Sequence, residues 1–166
     1  MVIAYADPPY LGQAAKHYQR AEVNHRLLIA HLCDEFPDGW ALSCSTSSLQ
    51  DLLSMCPLPV RVAAWVKPYV PFKVGINPAY AWEPVIFRGG RRRERTEPTV
   101  RDWCLAHITM QRGLVGAKPE AFSFWLFALL GLQPTDTFVD LFPGTGGVSQ
   151  AWESYRRQQT LKLVFR

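Results

Sequence analysis

Val2-Ile3-Ala4-Tyr5-Ala6-Asp7-Pro8-Pro9-Tyr10 reads as a buried strand stopped by an acid and two prolines. Proline cannot donate to a sheet ladder and biases the residue before it away from helix. Asp7 is therefore expected at the carboxyl end of a strand, on a stiff loop with Tyr10 beside it. Open α/β sheets bind their ligands at that rim.

The 156 residues that follow must supply the rest of such a sheet, and their pattern does so. Residues 14–33 carry apolar positions at helical spacing, and Pro37-Asp38-Gly39 is a turn. Trp40 to Ser45 reads as a second strand. Ser47-Ser48 is placed to cap a helix over Leu49–Met55. Val60–Val66 is a third strand and 67–81, with Pro68, Pro71, Gly75 and Pro78, a loop. Trp82 to Phe87 is a fourth strand, with Pro84 suggesting a late start or a place near an edge. Residues 99–111 are weakly helical. Lys118-Pro119-Glu120 opens a helix whose body, Ala121 to Leu132, is apolar almost all round. Thr137 to Phe142 is a fifth strand, Val148 to Gln158 a helix and Leu161 to Phe165 a last strand. Alternating strands and helices predict a mostly parallel α/β sheet flanked by helices.

A second strand-to-loop junction mirrors the first. Asp140-Leu141-Phe142-Pro143-Gly144-Thr145-Gly146-Gly147 runs from strand into closely spaced glycines and then a helix. Glycines let a ligand approach the backbone without a Cβ in the way, and the helix N-terminus offers unpaired N–H groups. The loop lacks the lysine of a phosphate-binding P-loop, and its glycine spacing does not fit a dinucleotide fingerprint. Taken alone it is equally a plain strand–helix turn.

At 166 residues the chain is long enough for one domain with a real core. Hydrophobic residues make up 48% and charged residues 19%, a globular balance. The net charge of +4 favours a polyanionic partner weakly. Its distribution is more telling, because Arg88, Arg91, Arg92, Arg93 and Arg95 crowd into eight positions. Such a run is either a solvated loop or a clamp for phosphates. Cys33, Cys44, Cys56 and Cys104 form no CxxC pair and predict free thiols in a reducing compartment, with no metal site. The chain reaches strand and acid with no basic leader, and its most apolar run is shorter than the roughly 20 residues that span a bilayer. Both features predict a cytoplasmic protein with no membrane contact.

Together the two loops carry a resemblance. The chain resembles the S-adenosylmethionine-dependent DNA adenine-N6 methyltransferases. Asp7-Pro8-Pro9-Tyr10 matches that family's catalytic motif, Asp140 to Gly146 its cofactor motif, and Lys118-Pro119-Glu120 with the helix behind it a third element. Here the catalytic motif precedes the cofactor motif by 133 residues, the permuted order found in one class of these enzymes and in adenosine-N6 RNA methyltransferases.

The resemblance implies a Rossmann-like methyltransferase fold, circularly permuted, in a single domain over 1–166 with one sheet edge abbreviated. It implies catalytic roles for Asp7, Pro8, Pro9 and Tyr10. It implies cofactor contacts from Asp7, Lys118, Pro119, Asp140, Phe142, Gly144 and Gly146, with S-adenosylmethionine as the cofactor. Residues 88–117 fall where the permuted class carries target recognition, so Arg88, Arg91, Arg92, Arg93 and Arg95 become candidate nucleic-acid contacts, DNA first, while Tyr10 offers an aromatic face for a base taken out of its helix. The family's ribose-binding acid after the next strand has no counterpart before Arg166. This leaves the pocket to other residues, to a second chain of a homodimer or partner, or to sequence beyond this piece. Cytosine N4, RNA adenosine, and a catalytically silent binding protein of the same fold are the alternatives. Restriction, phage protection and regulation are all open as biological settings.

Overall fold

The computed structural model describes residues 1–12, 22–57, 59–70, 74–108 and 117–164. Six strands form one sheet: β1 (Val2–Ala6), β2 (Gly39–Ser43), β3 (Arg61–Val66), β4 (Trp82–Gly89), β5 (Trp103–Leu105) and β6 (Thr137–Asp140). Their order across the sheet is β5-β3-β4-β2-β1-β6. β1 lies parallel to both β2 and β6, and β3 parallel to β5, while β4 runs antiparallel to β2 and β3. Five strands thus point one way and β4 the other, and the mostly parallel α/β sheet is as expected.

Helices cover both faces. The alternation of β1 sends Ile3 and Tyr5 to one face and Ala4 and Ala6 to the other. The first face packs on α3 (Glu120–Leu129) and α4 (Gly147–Val164), through Phe122, Leu126, Phe127, Trp152 and Tyr155. Phe127 is the hub, with ring centroids 4.9, 5.2 and 5.3 Å from Phe138, Trp152 and Tyr155. The second face packs on α1 (His25–Glu35) and α2 (Leu49–Met55), through Ile29, Leu32 and Leu52. Burial from both sides explains why β1 and β2 read as apolar runs with no polar face.

Several expectations change. β4 is an interior strand although it contains Pro84. The Pro84 carbonyl accepts from the Cys44 N–H, one residue past the end of β2, so the side of Pro84 that lacks a donor faces the point where β2 stops. The weakly helical stretch 99–111 contributes the short edge strand β5, held by its ladder to β3. Residues 161–164 continue α4 where a strand was expected. A short 3-10 turn over Thr46–Ser48 precedes α2, and its cap is Ser45, which accepts from the Ser48 N–H at 3.2 Å. α1 begins at His25 behind Asn24, whose side chain accepts from the Leu27 N–H at 3.1 Å. The earlier part of that expected helix (14–21), residues 109–116 of the candidate recognition segment, and Phe165 lie outside the described residues.

The parallel strands end together. Their carboxyl rim carries Asp7 after β1, Asp140 at the end of β6, Lys67 after β3 and, because β4 is reversed, Glu83 at its beginning.

Candidate functional site

Asp7 is fixed by the strand before it and by Lys118. β1 delivers the carboxylate to the rim, and the Lys118 Nζ donates to both its oxygens, at 2.8 and 2.7 Å. Lys118 is almost wholly buried and stands 3.4 Å from the Glu83 carboxylate. Its ammonium also lies 5.6 and 5.8 Å from the ring centres of Trp65 and Tyr10, within cation–π range. Glu83 accepts from the Tyr10 hydroxyl at 2.7 Å and is paired with Lys67 through its other oxygen. Lys67 in turn lies over the Trp65 ring, whose Nε1 donates to the Ala106 carbonyl at 2.9 Å. Two carboxylates, two ammonium groups and a phenol therefore form one connected network, and each charge has an opposite partner.

The network sets the protonation states. Burial pushes the Asp7 carboxyl above its ordinary value, against the pull of Lys118. Burial also opposes the Lys118 ammonium, but Asp7 and Glu83 outweigh it and hold that group up. Glu83 is lowered because Lys118 and Lys67 outweigh its burial. Burial, then Asp7 and Glu83, keep the Tyr10 hydroxyl protonated well beyond its usual range.

The glycine loop stands on the neighbouring strand. Asp140 is opposite Tyr5 in the β1–β6 ladder, and the Leu141 N–H donates to the Tyr5 carbonyl at 2.9 Å, so the two loops leave the sheet side by side. The Asp140 carboxylate accepts from the Phe142 N–H at 3.2 Å and the Ser149 hydroxyl at 3.4 Å. Burial, with Asp7 adding to it, raises its pKa. Gly144 and Gly146 adopt φ of +50° and +82°, which only glycine tolerates well. A Cβ at Gly144 would meet nothing nearer than the Phe142 carbonyl at 4.0 Å, and one at Gly147 nothing within 4 Å. The backbone is thus bare on its outer side and leads into the N-terminus of α4. An open glycine turn, a half-buried acid and free helix N–H groups suit a polar cofactor that carries an amine and hydroxyls.

Tyr10, Lys118 and Asp7 meet directly, while Asp140, Gly144 and Gly146 form the adjoining cradle. Pro8 is buried beneath the loop, Phe142 is half-buried against the α1 side of the core, and Pro119 occupies the cap position of α3 with no side-chain cap bond. Sequence reading places Trp65 and Glu83 on strands and Lys67 at the start of a loop, and assigns them no role at the site. The available signal was a lone glutamate opening an otherwise apolar strand.

The arginine run lies elsewhere. Because β4 is antiparallel, Gly89 pairs with Gly39 at the amino ends of the parallel strands, opposite the Asp7 rim. Arg91 reaches both Asp136 oxygens at 2.9 Å and the Gly131 carbonyl at 3.2 Å. Arg93 donates to the Ala128 carbonyl at 2.7 Å and to the Pro98 carbonyl at 3.1 Å. Both satisfy carbonyls at the end of α3. The direction of β4 therefore sends the run to the end of the sheet away from the Asp7 loop.

Among the described residues no three His, Cys, Asp or Glu side chains cluster as metal ligands, and no helix is long and apolar enough to cross a membrane. All four cysteines are free; burial raises Cys44 and Cys104 to about 12 and Cys56 to about 11.

No protein-family model matches the chain, and no curated protein matches its sequence. Solved structures do. The chain is similar to the crystal structure of an M1.HpyAVI–SAM complex, with a TM-score of 0.65 at 15% identity over 93% of this chain and 77% of that one. A crystal structure of M1.HpyAVI matches with a TM-score of 0.57 at 14% identity, over 93% of this chain and 75% of that one. The likeness establishes a Rossmann-like methyltransferase fold.

Proposed function

We propose that this protein transfers a methyl group from S-adenosylmethionine to the N6 amino group of adenine in DNA. The observation that carries the reading is the adjacency of the Asp7-Pro8-Pro9-Tyr10 loop and the Asp140–Gly147 loop on neighbouring strands of one rim. The name of the similar SAM complex supports the cofactor, and the sequence resemblance supports the acceptor. The permuted order of the two motifs belongs to the same proposal.

The chemistry follows from the residues. An exocyclic adenine amine is a poor nucleophile because its lone pair is delocalised into the ring. Asp7 and the Pro8 carbonyl accept its hydrogens and draw it toward a tetrahedral geometry. The prolines hold both acceptors in place before substrate arrives, which is electrostatic preorganisation. Asp7 is also placed to take the proton that the amine loses. Tyr10, with its hydroxyl tied to Glu83, presents an aromatic face for an unstacked base. Asp140 and the bare backbone of Gly144 and Gly146 hold the cofactor, and Lys118 holds the Asp7 carboxylate. S-adenosylmethionine, when bound, supplies an electrophilic methyl group on a sulfonium. Alignment of the amine with that methyl carries much of the rate.

Incubation with tritiated methyl donor and unmethylated duplex DNA, single-stranded DNA or RNA, followed by digestion to nucleosides, tests the reading. Label in N6-methyladenine from DNA is expected. Label in N4-methylcytosine or only in RNA would move the acceptor, and donor binding with no label in any substrate would make the protein a silent binder.

A further inference from the structure

At the end of the sheet opposite Asp7 lies a cleft of about 560 Å³, between the lower ends of β3 and β4, residues 91–100 and Leu129 of α3. Between residues 88 and 101 the chain has six arginines and two glutamates, a net charge equal to the +4 of the whole sequence. Arg61, Arg91, Arg93 and Arg95 line this cleft with Glu94 and Glu97.

The cleft is built, not a loose loop. Arg91 is clamped to Asp136 and Arg93 to the Ala128 carbonyl. The Gly90 N–H donates to the Asp38 carbonyl at 2.8 Å, and the Arg91 N–H to the Leu130 carbonyl at 2.9 Å. A Cβ on Gly90 would meet the Leu130 carbonyl oxygen at 2.8 Å, so the backbone is seated hard on the end of α3. The Glu97 carboxylate closes the turn by accepting from the Glu94 N–H at 2.7 Å.

On this frame two guanidinium groups are left with donors to offer. Arg95 has no hydrogen bond or ion pair among the described residues. Among the described residues, Arg61 lies 5.2 Å over the Phe87 ring and pairs only with Asp102, at 3.9 Å, with both side chains largely exposed. Strand alternation puts Arg88 on the other face from Phe87, so it lends this cleft its backbone. Like charges held together on a rigid frame repel, and an anion with several oxygens relieves them. Guanidinium forks match phosphate geometry.

We propose that this cleft binds phosphate groups, presented by a nucleic-acid backbone or by a free phosphorylated compound, at a site separate from the Asp7 rim. From Glu83 to Arg88 alone the strand rises about 17 Å. Along a duplex strand, a phosphate here is then about five nucleotides from a base held at Tyr10. The proposal does not rest on methyl transfer, and its readout is binding.

The test compares the parent chain with an Arg61→Gln/Arg95→Gln double variant. Binding of a labelled 24-base-pair duplex is followed by anisotropy across a salt series, and binding of pyrophosphate by calorimetry. Neither side chain is buried, so the melting temperature should stay within about 4 °C of the parent. If a backbone is the source, the variant binds the duplex about tenfold more weakly and the salt slope falls by up to about two. If a free phosphoryl group is the source, the parent binds pyrophosphate stoichiometrically and the variant loses it. Unchanged duplex affinity and slope, together with no pyrophosphate binding by the parent, would overturn the proposal.

Discussion

The Nζ of Lys118 lies 2.8 and 2.7 Å from the two oxygens of Asp7, across 111 residues of chain. The pair ties the acidic loop to the entrance of α3 and leaves each Asp7 oxygen one further lone pair for a substrate hydrogen. Asp7→Ala removes the acceptor but leaves Lys118 a carboxylate partner in Glu83 and leaves the glycine cradle untouched. Turnover should fall at least about 100-fold while the affinity for the methyl donor holds within a few fold. Methyl incorporation and donor calorimetry measure the two separately, and turnover near the parent rate would remove Asp7 from the mechanism.

Asp7 must be charged to accept, and burial raises its pKa. The acid limb of the pH–rate profile should therefore lie above the ordinary carboxylate range, with activity lost as pH falls through it. Lys118 is the largest influence pulling that pKa down. Lys118→Met removes it, so the limb should move to still higher pH, with the maximal rate regained only on the alkaline side. A profile that keeps its acid limb in place in the variant would show that Asp7 is not the titrating group.

Much of this geometry was legible in the sequence because it depends on local backbone chemistry. Two prolines stop β1 and glycines turn the chain after β6 whatever lies around them. The direction of β4 was not legible, because period and composition are the same for a strand running either way. That direction alone places Glu83 beside Lys118 and carries Arg91 to the far end of the sheet. Arg91 and Arg93 looked like free charges in a polar run, and only the end of α3, with its unpaired carbonyls, gives them structural partners. β5 was missed for a related reason: a three-residue edge strand has too few side chains to show an alternation.

Glu83 holds Tyr10, Lys67 and Lys118 at once. Glu83→Gln leaves the half-buried Lys67 ammonium without its carboxylate and Lys118 with Asp7 alone, so unfolding free energy should drop by about 3 kcal/mol at neutral pH. The sign with pH follows from the lowered pKa of Glu83. Its contribution is present above the unfolded carboxylate value and is lost as pH falls through the folded one. The gap between parent and variant should therefore narrow in acid. Urea denaturation at several pH values measures it, and a gap that is constant with pH would mean the carboxylate charge is not what stabilises.

Arg91 is a structural arginine and Arg95 is not. Arg91→Ala strips Asp136 of its two 2.9 Å contacts and the Gly131 carbonyl of its donor. A loss of about 1–3 kcal/mol is expected. Arg95→Gln should change stability by less than about 0.5 kcal/mol. Parallel denaturation curves distinguish the two, and equal effects would remove the distinction between the clamped and the open arginines.

Gly146 separates the cost of strain from the loss of a ligand. Its φ of +82° makes any side chain unfavourable, so Gly146→Val should cost about 1–2 kcal/mol in the absence of donor. A side chain added there faces open space on the cradle, with only the Gln150 side chain, at 3.8 Å, in contact. If the donor lies against that backbone, the valine occupies its place, and affinity should fall well beyond what the strain explains, at least about tenfold. Gly75 also has a positive φ, of +77°, and an open Cβ direction, but it lies on the β3–β4 loop. Gly75→Val should cost a similar amount of stability and leave donor affinity unchanged. Donor calorimetry on both variants, with melting curves as the control for strain, decides the point. Equal affinity losses at Gly75 and Gly146 would assign the effect to strain and move the cofactor off the Asp140–Gly147 loop.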